Sequence, residues 1–98
     1  MGIKMGKIED YVEAIKIDYL GVDPNSHVEE EFYFNNDFDL KFYRRTWEGR
    51  RICEDFPPPT NPTFPLALVM EGGEVYWVDS DGKVLHWKYY GEVEEFEI

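Results

Sequence analysis

The stretch LALVMEGGEVYWVDSDGKVLHW, residues 66–87, decides the fold. Leu66 to Met70 is an unbroken apolar run, the pattern of an interior strand covered on both faces. Gly72-Gly73 then supplies a tight turn. Val75 to Val78 and Val84 to Tyr89 flank Asp81-Gly82, one of the strongest short hairpin signals because both positions tolerate positive φ. With a two-residue loop, Tyr76 faces Trp87, Trp77 faces His86 and Val78 faces Leu85.

Upstream, Ile8, Tyr11, Val12, Ile15, Tyr19 and Leu20 recur at three- and four-residue steps, with acidic residues and Lys16 between them. That spacing predicts an amphipathic helix of about three turns, with Glu9 and Asp10 favouring its first turn and Gly21 stopping it. A competing reading makes Ile15, Ile17 and Tyr19 one face of a strand. Asp23-Pro24-Asn25-Ser26 is turn chemistry. In the strand predicted from Val28 to Phe34, Val28, Glu30, Phe32 and Phe34 share one face, and Glu29, Glu31 and Tyr33 the other.

After Asn35-Asn36-Asp37, the alternation of Phe38, Leu40 and Phe42 predicts a second strand that pairs with the first and runs to Trp47. A turn at Glu48-Gly49 then places Arg44, Arg45, Arg50 and Arg51 at a hairpin tip. These arginines are expected to pair with Glu29, Glu31 and Asp39 across the hairpin. Five of the ten residues from Phe56 to Pro65 are proline, which donates no ladder hydrogen bond, so this is a stiff segment crossing between two halves of a sheet. Phe56 and Phe64 bracket it and are expected to pack on the core, a reading favoured over display of Phe56 to Pro62 as a polyproline ligand. The charged tail from Glu92 to Ile98 suits an edge strand. The class is α+β: one N-terminal amphipathic helix packed on a mainly antiparallel sheet, or small barrel, of about five to six strands.

Ninety-eight residues suffice for one domain, 1–98, and a hydrophobic fraction of 43% can fill its core. Against 10 basic side chains stand 21 acidic ones, a formal net charge of −11. That charge opposes direct binding to nucleic acid or anionic membrane and favours a basic protein partner. Cys53 is the only cysteine, which excludes an intrachain disulfide. Met1 to Lys7 is followed by no apolar stretch of signal-peptide or membrane-span length, so the cytoplasm is the expected compartment.

No catalytic, metal or cofactor signature emerges. His27 and His86 lie far apart and Cys53 is single, so four Cys/His zinc ligands cannot be assembled from one chain. Asp79-Ser80-Asp81-Gly82 begins like a calcium loop but lacks the later oxygen ligands, and a hairpin turn explains it better. Ser26 beside His27 is adjacent in sequence but not thereby aligned, and Glu54 and Asp55 are expected to raise the Cys53 pKa and blunt its reactivity. Arginines interleaved with Tyr43 and Trp47 would suit single-stranded nucleic acid, yet the rest of the chain is too acidic for that.

The distribution of acids is more informative. From Gly21 to Leu40 there are six acidic and no basic residues, and from Glu92 to Glu97 four more with none basic. The leading expectation is a non-enzymatic protein-binding module that offers Glu29, Glu30, Glu31, Asp37, Asp39, Glu92, Glu94, Glu95 and Glu97 to a basic partner. In composition it is similar in kind to small acidic nucleic-acid-mimic inhibitors, a class that includes anti-restriction and anti-CRISPR proteins. Alternatives are a small-ligand or hydrolytic domain with an aromatic pocket of Tyr76, Trp77, His86 and Trp87, and a homo-oligomer subunit whose exposed aromatics form the interface.

Overall fold

The computed structural model describes residues 7–19, 30–88 and 93–97, the side chains of Asp18 and Tyr19 apart. Its centre is an open five-stranded antiparallel sheet in the order β1 (Glu30–Phe34), β2 (Leu66–Glu71), β3 (Glu74–Asp79), β4 (Lys83–Trp87), β5 (Val93–Glu97). The barrel alternative is excluded, because β1 and β5 are opposite edges. Among the described residues three α-helices complete the α+β fold: α1 (Ile8–Ala14), α2 (Asp37–Arg45) and α3 (Trp47–Asp55).

The predicted N-terminal helix is present, and α1 runs on into a wider π-helical turn, Ile15–Tyr19. Ile8, Tyr11, Val12 and Ile15 pack it onto Ala67, Val69, Tyr76, Val78 and Val84 of the sheet. On the other face, α2 and α3 cover Phe34, Leu66, Leu68, Val75 and Trp77 through Leu40 and Ile52. β2 and β3 are therefore buried on both sides, which explains the unbroken apolar run of β2. Phe56 and Phe64 pack against this second core as expected, while the proline segment joins α3 to β2 and does not cross between half-sheets.

The strand expected from Phe38 to Trp47 is a helix, and the turn at Glu48-Gly49 lies inside another. Capping decides it. The Asn36 side chain accepts from the Asp39 amide at 2.9 Å, and the Thr46 hydroxyl accepts from the Gly49 amide at 2.9 Å. Asp37 and Asp39 in the first turn of α2, with Arg44 and Arg45 in its last, also suit the helix dipole. Leu40 and Tyr43 turn inward at helical spacing, while Phe38 and Phe42 point outward. The arginines thus sit on helices. The charge of Arg44 acts on the Cys53 thiol, the Arg50 guanidinium lies 5.4 Å from the Trp47 ring centre, and Arg45 and Arg51 form no ion pair among the described residues.

The β3–β4 register differs from expectation by one residue. The loop has three residues, Ser80-Asp81-Gly82, with Gly82 at φ +82°. Asp79 Oδ1 accepts from the Asp81 and Lys83 amides at 2.9 and 3.2 Å, which sets that loop length. Tyr76 therefore faces His86, Trp77 faces Leu85, and Val78 faces Val84. Leu20, the stop at Gly21, the Asp23–Ser26 turn, Ser26, His27 and Val28 lie outside the described residues. Among the described residues no helix is long and apolar enough to cross a membrane.

Gly49 makes the α2–α3 corner. A Cβ there would stand 2.0 Å from the Tyr43 carbonyl oxygen, a backbone atom fixed by the Thr46 amide and hydroxyl at 3.0 and 2.7 Å. Gly49→Ala should therefore lower stability by about 2 kcal/mol, although the same exchange in an open helix raises it by about 1 kcal/mol. Urea unfolding decides the sign, and an unchanged or higher midpoint would refute the steric argument.

Candidate functional site

The acidic residues singled out from sequence do not form one surface. β1 and β5 are separated by four strand spacings, roughly 19 Å, so the two acidic stretches occupy opposite edges. Glu29 and Glu92 lie outside the described residues. Glu30 is exposed on the side of the sheet that carries α2 and α3, as are Glu95 and Glu97 at the far edge. Asp37 is tied to Lys41 at 2.8 Å, and Asp39 accepts from the Asn35 amide at 3.0 Å.

Glu31 and Glu94 share the α1 face, where the structure adds two carboxylates that the sequence reading did not single out. Glu71 and Glu74 flank Gly72-Gly73 and stand directly opposite each other on this face. Glu31, Glu71, Glu74 and Glu94 make a band that crosses the sheet near the Gly72-Gly73 turn. Like charges directly opposite are destabilising by a few tenths of a kcal/mol or more, roughly. Glu71 Oε2, and likewise Glu13 Oε2 on α1, is buried and finds no hydrogen-bond partner among the described residues. Such orphaned acceptors are rare in folded proteins.

Cations punctuate this band without covering it. Lys16 pairs with Glu31. Burial raises the Glu31 pKa, but the hydrogen bond and charge of Lys16, with the Tyr33 hydroxyl at 2.8 Å, outweigh it and hold the carboxyl below its ordinary 4.5. His86 places Nε2 3.1 Å from Glu74 Oε1 and Nδ1 3.4 Å from Glu94 Oε2. Its hydrogen bond to Glu94, and the charge of Lys88 at 3.5 Å, lower the Glu94 pKa. The acidic field reaches the tyrosines. Burial first, then Glu74 and Glu94, push Tyr76 up to about 12; burial and Glu31, Glu9 and Glu13 raise Tyr33 as well.

The aromatic pocket is not assembled. Tyr76 stacks on His86, with ring centres 4.2 Å apart, on the α1 face. Trp77 is fully buried beneath α2 and α3, so His86 is not its neighbour. Trp87, also on that second face, lines a cleft of about 490 Å³ with the prolines, Lys83 and Glu95. The four residues thus divide between two sides of a sheet. Cys53 is raised as expected, though by burial and against the opposing effect of Arg44, not by Glu54 and Asp55.

Sequence reasoning also missed an apolar surface. Phe38, Phe42 and Trp47 on α2 and α3 are 70%, 61% and 69% exposed. The alternation of Phe38, Leu40 and Phe42 had suggested one face of a strand; only the helical assignment turns Phe38 and Phe42 out.

The two surfaces differ in charge. α2 and α3 carry five acidic residues (Asp37, Asp39, Glu48, Glu54, Asp55) and five basic ones (Lys41, Arg44, Arg45, Arg50, Arg51), so they are neutral and the net −11 belongs to the rest of the chain. Chemically, the band is an array of acceptors suited to ammonium and guanidinium donors. No protein-family model, curated protein or solved structure matches the chain.

Because the folded Glu31 carboxyl ionises below 4.5, its stabilisation is present at neutral pH and lost as pH falls through the folded value. Glu31→Gln should cost about 1 kcal/mol near pH 7 and progressively less as the pH is lowered through the folded value, measured by urea unfolding at neutral and acid pH. Equal losses at the two values would contradict the Lys16 pairing.

Proposed function

We propose that this chain is a non-enzymatic acidic protein-binding module whose partner presents a basic surface. One observation carries the reading: the carboxylate band on the sheet, in which Glu71 and Glu74 face each other and a buried Glu71 oxygen lacks a donor among the described residues. Lysine or arginine side chains from a partner would relieve the repulsion between the two carboxylates. The net charge of −11 adds long-range attraction that speeds encounter with such a surface.

A nucleic-acid-handling protein is the partner class that fits best, since a groove shaped for phosphates selects ordered negative charge. The chain then acts as a competitor for that groove, which is inhibition by mimicry. A cytoplasmic location suits this role. Glu31, Glu71, Glu74 and Glu94 form the proposed contact.

Affinity capture from the native host at low salt, eluted by a salt gradient, tests the proposal. The specific partner should elute at moderate salt. The double variant Glu71→Gln/Glu74→Gln should bind roughly tenfold more weakly, while Glu95→Gln/Glu97→Gln on the opposite face should bind nearly as well. A partner whose retention ignores both ionic strength and the Glu71/Glu74 change would remove the basis for the assignment.

A further inference from the structure

We infer that the outer face of α2 is a self-association surface, on which a second copy of this chain docks with its own α2 antiparallel across a twofold axis. The argument starts from exposure. Phe38 and Phe42 lie one helical turn apart, 70% and 61% exposed, beside a groove of about 440 Å³ shared with Tyr33, Phe34 and Tyr43. Trp47, 69% exposed, stands at the α2–α3 corner as the first residue of α3. Contiguous exposed aromatics of this kind mark an interaction site.

Charge selects the occupant. Two copies of a chain at −11 repel each other wherever their acidic surfaces meet. The α2–α3 hairpin is neutral, so a second copy approaches this face with the least electrostatic cost. A basic partner gains little there, because four arginines occupy the same hairpin.

The order of charges along α2 selects the orientation. Asp37 and Asp39 occupy its first turn, and Arg44 and Arg45 its last. Antiparallel pairing about a twofold axis near Leu40 sets Phe38 against the second copy's Phe42, and leaves Asp37 only about 3 Å along the axis from the level of its Arg45, within reach of that long side chain. Every contact then occurs twice, as an isologous interface requires. Parallel pairing would instead oppose acid to acid and arginine to arginine. Arg45 forms no ion pair among the described residues of its own chain, so it is available.

Sedimentation equilibrium of the full chain at low and high micromolar concentration tests this. The apparent mass should rise from 11.7 kDa toward twice that value. Added salt should strengthen the association, since it screens the repulsion between two like-charged copies while the apolar contact persists. Phe38→Asp/Phe42→Asp should be monomeric throughout, with an unchanged circular dichroism spectrum because both rings are exposed. Arg45→Asp should weaken association by about tenfold, and Asp37→Arg/Arg45→Asp should restore it. A monomer at every concentration and salt, or a dimer indifferent to the phenylalanine exchange, would overturn the proposal. A double charge variant weaker than Arg45→Asp alone would overturn the antiparallel arrangement.

Discussion

The arrangement depends on Trp77. Its indole is fully buried in the middle strand, and Nε1 donates to the Phe56 carbonyl at 2.8 Å. Phe56 follows the last residue of α3 and begins the proline segment. One hydrogen bond thus closes the helical hairpin onto the sheet and fixes where the prolines start. Thr63 fastens the other end, donating to Asp81 Oδ2 at 3.1 Å. With both ends held and proline limiting the backbone between them, α2 and α3 are confined to one face of the sheet. α1 takes the other face, where its Tyr11 ring rests against Gly82 so closely that an added Cβ would stand 2.9 Å away.

That constraint explains how far the fold was legible. Local signals located β2, β3 and β4, because a continuous apolar run and glycine turns need no tertiary information. The helix from Ile8 was legible by its spacing. Phe38, Leu40 and Phe42 misled because they satisfy a period of two, whereas the deciding signals were polar: Asn36 before Asp39, and Thr46 before Gly49. The shifted hairpin register has a similar origin. Asp79 caps its own turn, and one added loop residue exchanged the partner of every side chain in β3.

The candidate site was legible only in part, for a topological reason. Sequence shows where acids are dense, but strand order decides which dense stretches meet. Here it sends Glu30 and Glu97 to opposite edges and brings forward Glu71 and Glu74, two single glutamates beside a turn. Their significance lies in facing each other, a relation that appears only once the hairpin register is known. The exposed phenylalanines were hidden by the same misassigned strand, since an aromatic row reads as core until the helix turns it outward.

The two proposed surfaces lie on opposite faces of the sheet, and this has a mechanical consequence. The carboxylate band is on the α1 side, whereas α2 packs on the other, so pairing through α2 leaves both bands uncovered. A dimer would then present two acidic bands, related by the twofold axis, to a partner with a repeated or extended basic surface. The second contact would form within the complex at a high effective concentration, raising affinity without a new kind of interaction. Salt acts oppositely on the two steps, strengthening the pairing of like-charged copies and weakening their hold on a basic surface. Binding of the proposed basic partner would also lower the charge of each copy and so favour pairing. The two equilibria are therefore coupled by electrostatics alone, with no conformational change required.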